Sequence, residues 1–121
     1  MTEIQNSKQY DLEDRTLAFA KKVRAFVKKL PKTTANFEDG KQLIKASGSV
    51  GANYIEANEA LSKKDFRLRI KICRKEAKES RYWLRLVDTQ DSAELEQERK
   101  DLEQEATELM NIFGSILRKS E

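Results

Sequence analysis

The sequence predicts an all-α protein, an up-down-up-down four-helix bundle. Three observations predict it. Residues 63–88 carry apolar and small residues at Phe66, Ile70, Cys73, Ala77, Ser80, Leu84 and Val87, an unbroken alternation of four- and three-residue steps, which is the seam of a long packed helix. The chain has one Pro and four Gly in 121 residues, and 37% of it is charged, a composition that favours helix over sheet. The apolar stretches are joined by short polar links, so successive helices should lie antiparallel.

Each element has its own signature. Residues 1–11 are polar and mixed in charge and are expected to be disordered or frayed, leaving a single domain over residues 12–119. The first helix is expected from Leu12 to Leu30, with Phe19, Val23, Phe26, Val27 and Leu30 as its stripe. Pro31 ends it, having no amide hydrogen and disfavouring helix at the residue before it. The second helix is expected from Ala35 to Leu61. Its seam is Leu43, Ser47, Val50, Tyr54, Ala57 and Leu61, and Gly40, Gly48, Gly51 and Ala52 crowd the same stretch. Each interior Gly costs about 0.5–1 kcal/mol relative to Ala. The compensation expected is close approach of another backbone or a bulky side chain; a kinked helix is the alternative. Ser62-Lys63-Lys64-Asp65 reads as a capping box with Asp in the fourth position and starts the third helix, which runs to Asp88. Thr89 to Ser92 form a turn, and Ser92, or Asp91 with Glu94, caps the fourth helix. That helix places Leu95, Arg99, Leu102, Ala106, Leu109, Phe113 and Ile116 on its seam and closes with Arg118 and Lys119, where the dipole favours cations. Helices of this length span about 27–40 Å at 1.5 Å per residue.

Charge gives the third helix a second pattern. Lys64, Lys71, Lys78 and Arg85 recur at seven-residue steps, beside a second row of Arg67, Arg74 and Arg81. In an antiparallel pair the Arg row can meet Glu96 and Glu103 of the fourth helix, an exposed arrangement worth about 0.2–1 kcal/mol per pair. The row of Lys64, Lys71, Lys78 and Arg85 has no evident partner. It is either a solvated face or an electrostatic footprint for nucleic-acid phosphates, reading backbone and not base sequence. The opposite flank holds Ile72, Trp83 and Leu86, with Tyr82 adjacent. These four are candidates for a subunit interface with aromatic anchors; a wide core stripe touching two neighbours is the alternative.

Several chemistries are excluded. The chain has no His, so Ser-His and Cys-His nucleophilic systems and the Glu-x-x-His di-iron pattern are absent. Cys73, the single cysteine, falls on the core seam and is expected to be buried and inert. Ser47-Gly48-Ser49-Val50-Gly51 lacks the Lys of a phosphate-binding loop. No apolar stretch approaches the roughly 18–20 residues needed to span a bilayer, and a lone cysteine suits a reducing cytoplasm. Glu56-x-x-Glu59 and Glu76-x-x-Glu79 could hold Mg²⁺ if all four carboxylates converged, which leaves a Mg²⁺-dependent nucleotide pyrophosphatase as a remote alternative. The leading expectation is a non-enzymatic, oligomeric bundle that engages the RNA or DNA backbone through its basic helix flanks, without cofactor, catalytic residue or metal. A structural or protein-interaction module whose basic rows are taken up by ion pairs is the second.

The segments Lys45-Ala-Ser-Gly-Ser-Val-Gly-Ala-Asn-Tyr-Ile-Glu-Ala57, Asp65-Phe66 and Ile72-Cys-Arg-Lys-Glu-Ala-Lys-Glu-Ser-Arg-Tyr-Trp-Leu-Arg-Leu86 resemble the 23S rRNA intervening-sequence family, small bacterial four-helix bundle proteins often encoded within inserts in 23S rRNA genes. The resemblance extends over Leu12 to Leu117. Ser49, Asn53 and Glu56 match the family's Ser-x-x-x-Asn-x-x-Glu spacing, while Ala57 stands where many relatives have Gly. The resemblance implies a left-handed bundle that assembles as a ring, a homopentamer, and a role with ribosomal RNA or other nucleic acid. The group is similar to the accessory protein of diversity-generating retroelements, through Tyr82-Trp83-Leu84-Arg85; a reverse-transcriptase partner is not carried over.

Overall fold

The computed structural model describes the backbone of residues 2–121 and the side chains of residues 12–121. The expectation for residues 1–11 therefore lies outside the residues described in full. Four helices follow one another: α1 (Thr2–Lys29), α2 (Thr34–Asn58), α3 (Lys63–Leu86) and α4 (Ala93–Lys119). Each packs against its sequence neighbour and α4 closes on α1; among the described residues the backbones of diagonal helices do not come close, and large side chains such as Tyr54 and Phe113 meet across the centre. This is the up-down-up-down bundle.

The seams fill its centre. Phe19, Val23 and Phe26 of α1, Leu43 and Val50 of α2, Ile70, Cys73, Ala77 and Leu84 of α3, and Ala106, Leu109 and Phe113 of α4 are all buried. Full burial of a large apolar side chain stabilises by about 1.5–3 kcal/mol, so one layer of four such residues outweighs any single surface ion pair. Cys73 sits in this core as expected, and burial pushes its thiol up to about 12. Tyr54 lies in the same layer, its ring tilted against Phe113 at 6.0 Å.

The α2 glycines do what close packing requires at two positions. A methyl group at Gly51 would lie 2.8 Å from Thr16 Oγ1 and 3.2 Å from Thr16 Cβ, and one at Gly40 would lie 3.0 Å from Val27 Cγ1. Helix α1 is thus seated on α2 through missing side chains. At Gly48 the nearest atom, Arg24 Nη2, is at 3.5 Å, an ordinary contact.

Side-chain oxygens start the last three helices: Thr33 accepts from Asn36 N, Ser62 from Asp65 N and Ser92 from Leu95 N. The expectation that α2 reaches Leu61 is corrected here. Helix α2 ends at Asn58 and Leu61 is 100% exposed. Ser62 must be extended (φ −141, ψ 158) to present its hydroxyl to Asp65, and a helix running through Leu61 would leave no room for that change of direction. At the other end Val87 is extended, so α3 stops at Leu86, two residues short of expectation.

A turn through Thr89–Ser92 follows, with Gln90 (φ 52) and Asp91 (φ 62) both left-handed, a conformation that costs a non-glycine residue about 1–2 kcal/mol. Asp88 Oδ1 accepts from Gln90 N at 2.8 Å and holds the turn. Buried Asn36 then ties this turn to the α1–α2 turn. Its amide donates to Pro31 O (3.0 Å) and Asp88 O (2.8 Å), and its carbonyl accepts from Asp88 N (2.8 Å).

Candidate nucleic-acid interface

The basic rows of α3 lie on the face it shares with α4, and the two rows differ. Lys64, Lys71, Lys78 and Arg85 are all exposed. Lys64, Lys71 and Lys78 make no ion pair among the described residues. Arg85 does: its Nε stands 3.0 Å from Glu103 Oε1. The fourth member of the candidate row is therefore partly neutralised, through a pair in solvent.

The expected pairing of the Arg row with Glu96 and Glu103 is not formed. Arg67 Nη1 donates to Leu117 O (2.6 Å) and Ser120 Oγ (2.7 Å) at the carboxyl end of α4. Arg81 Nη1 donates to Thr107 Oγ1 at 3.2 Å. Arg74 lies over Gly114. Glu96 instead pairs with Arg99 and accepts from the Thr89 hydroxyl. Arg99 in turn donates to Val87 O (2.5 Å) and Leu84 O (3.4 Å) at the carboxyl end of α3. Each helix of the pair thus sends an arginine to the carbonyl end of the other. The last carbonyls of a helix have no partner within it, and its dipole is negative there, so these ends compete with carboxylates for the guanidinium groups. Because Arg67 and Arg81 bond to neutral groups, their charge stays uncompensated. The α3–α4 face remains basic although its arginines are held.

The α1–α4 face is built differently. Arg15 makes a two-pronged pair with Glu105 (2.7 and 2.8 Å) and reaches Glu108 at 2.7 Å. These bonds hold the guanidinium above its ordinary range, and Gln104 with Arg15 holds the Glu108 carboxyl below its own. Lys29 pairs with Glu98 at 2.5 Å. At Arg15 and Lys29 opposite charges meet and cancel.

The candidate interface residues are divided. Trp83 and Ile72 are half-buried, and Trp83 packs against the bundle's own core. Tyr82 and Leu86 are 58% and 48% exposed, and the Tyr82 ring meets Trp83 edge-on at 5.1 Å. Trp83 therefore serves the bundle while holding Tyr82 outward.

Among the described residues no three Asp, Glu, Cys or His side chains gather closely enough to hold a metal ion. Glu76 and Glu79 instead approach Lys75, at 3.5 and 3.8 Å, so the four-carboxylate site that a pyrophosphatase needs is not formed. Likewise, among the described residues, no helix is long and apolar enough to cross a membrane.

The model of the 23S rRNA-intervening sequence protein family matches residues 8–115. A crystal structure of a protein of unknown function from the S23 ribosomal protein family of Bacteroides thetaiotaomicron is similar at 30% identity with a TM-score of 0.75, covering 88% of this chain and 97% of that one. No curated protein matches the chain.

Proposed function

The chain belongs to the 23S rRNA-intervening sequence protein family, and from that membership we propose that it is a non-enzymatic, homo-oligomeric bundle that binds the phosphate backbone of RNA or DNA through the α3–α4 face. The observation that carries the reading is charge asymmetry. Lys64, Lys71 and Lys78 lack carboxylate partners among the described residues, and Arg67 and Arg81 beside them bond only to neutral oxygens. On the α1–α4 face the cations Arg15 and Lys29 are matched by Glu105, Glu108 and Glu98. A surface held cationic by neutral partners keeps its field available to phosphates. It contacts backbone and not base edges, because flexible lysines spaced along a helix supply point charges.

Copies associate through Tyr82 and Leu86, with Trp83 and Ile72 behind them, as a ring of five. Repetition around a ring multiplies a modest patch into several linked binding faces, and linked sites bind far more tightly than one. Fluorescence polarisation with ribosomal RNA fragments across a salt series tests the binding. Affinity should fall steeply with salt, and Lys64→Gln/Lys71→Gln/Lys78→Gln should lower the log–log slope by about 2. Negligible binding at low salt refutes the reading and leaves a structural or protein-interaction module, which the Arg85–Glu103 pair favours. Light scattering of the same sample gives the particle mass; a monomer refutes the ring.

A further inference from the structure

Two arginines from different helices meet over the one glycine of α4. A methyl group at Gly114 would lie 3.5 Å from Arg118 Nη1, 3.8 Å from Arg74 Nη1 and 3.9 Å from Arg74 Cδ. Both guanidinium groups therefore come within 4 Å of one point, and neither is paired with a carboxylate among the described residues. Like charges brought together repel, and they stay together at least cost when an anion sits between them. Gly114 itself is buried, so its surroundings and not open solvent form the floor of this site. One turn along, Arg67 bonds Leu117 O and Ser120 Oγ, so that carbonyl at the end of α4 is already engaged by a cation.

The geometry points to a phosphate cradle formed by Arg74 and Arg118 over Gly114, which anchors one backbone phosphate of a bound nucleic acid. It rests on the nucleic-acid reading of the α3–α4 face and deepens it, by separating one shaped subsite from the diffuse lysine field. Guanidinium groups present planar forks that match two phosphate oxygens, each accepting at about 2.7–2.9 Å. With one nitrogen of each guanidinium already within 4 Å of the same point, both exposed side chains can turn their forks onto one phosphate. Lys64, Lys71 and Lys78 attract the strand; the cradle fixes its register against the bundle.

The test holds charge constant and changes shape. In the full-length protein, Arg74→Lys/Arg118→Lys keeps both charges and removes both forks. It should weaken binding of a 5′-labelled single-stranded RNA by about tenfold, with helicity and melting temperature retained. Lys22→Gln/Lys28→Gln on α1, which removes two charges elsewhere, should change affinity by less than about twofold. Gly114→Glu places a carboxylate between the guanidinium groups and should abolish the cradle's contribution without lowering the melting temperature. In parallel, NMR titration of wild type with inorganic pyrophosphate should shift the Nε–Hε resonances of Arg74 and Arg118 ahead of other arginines. Wild-type affinity in the double Lys variant, or pyrophosphate shifts spread evenly over all arginines, overturns the cradle while RNA binding stands. Selective pyrophosphate shifts with no RNA binding by wild type overturn the nucleic-acid reading and support the cradle as an anion site.

Discussion

Gly51 and Gly114 make the most instructive comparison in the molecule. Both lie in the interior of long helices where a neighbouring helix comes close. At Gly51 the neighbour fills the space completely, with Thr16 Oγ1 2.8 Å from where a methyl group would sit. At Gly114 the nearest atoms are the ends of two arginines at 3.5 and 3.8 Å, ordinary contact distances. The same residue type is thus required by packing in α2 and merely permitted by it in α4. What Gly114 offers is a place for charged groups to meet.

Alanine substitutions test that difference. The largest effect is expected at Gly51→Ala. Thr16 is buried, and its hydroxyl already donates to Leu12 O or Glu13 O (2.9 and 3.0 Å), so it cannot rotate away without orphaning a polar group. Loss of about 1–3 kcal/mol should follow from overpacking, read as a lower urea midpoint. The double variant Gly51→Ala/Thr16→Ala should recover part of it, a positive coupling between touching residues. If Gly51→Ala were neutral, the tight seat of α1 on α2 would be wrong. Gly114→Ala should go the other way, gaining about 0.5–1 kcal/mol of helix propensity, because its methyl group meets only movable guanidinium groups. Destabilisation there would mean that Gly114, too, is required by packing. The smallest change is expected at Gly40→Ala. Val27 Cγ1 stands at 3.0 Å, but Val27 is only half-buried and has room to give. Strain and propensity should cancel to within about 0.5 kcal/mol.

The sequence made the bundle legible because seven-residue spacing is a property of one helix at a time. Ile70, Cys73, Ala77, Ser80, Leu84 and Val87 are each buried as their spacing required. Leu61 shows where that rule fails: its spacing continues a seam that the backbone has already left, since nothing in Ala60-Leu61-Ser62 resembles a glycine or proline stop. The partners of the Arg row were not legible either. Which α4 residue faces Arg81 depends on the register between helices. It is Thr107 and not Glu103; Glu103 lies across from Arg85, one helical turn further along. Asn36 and Asp88, 52 residues apart, carry no local signal of their contact. The convergence of Arg74 and Arg118 was equally hidden, although Gly114 within a strong helix-forming stretch was its available clue.

The Asn36 contacts have a kinetic meaning. The two bonds to Asp88 can form only when the α2–α3 hairpin has closed all the way to its open end, because they join the first turn of α2 to the residues just past α3. In the language of transition-state analysis such a latch belongs to the native side of the barrier. Its removal is expected to leave the folding limb of the chevron almost unchanged and to steepen the rate at which the finished bundle opens. One buried amide thus governs how long the bundle stays folded more than how quickly it forms.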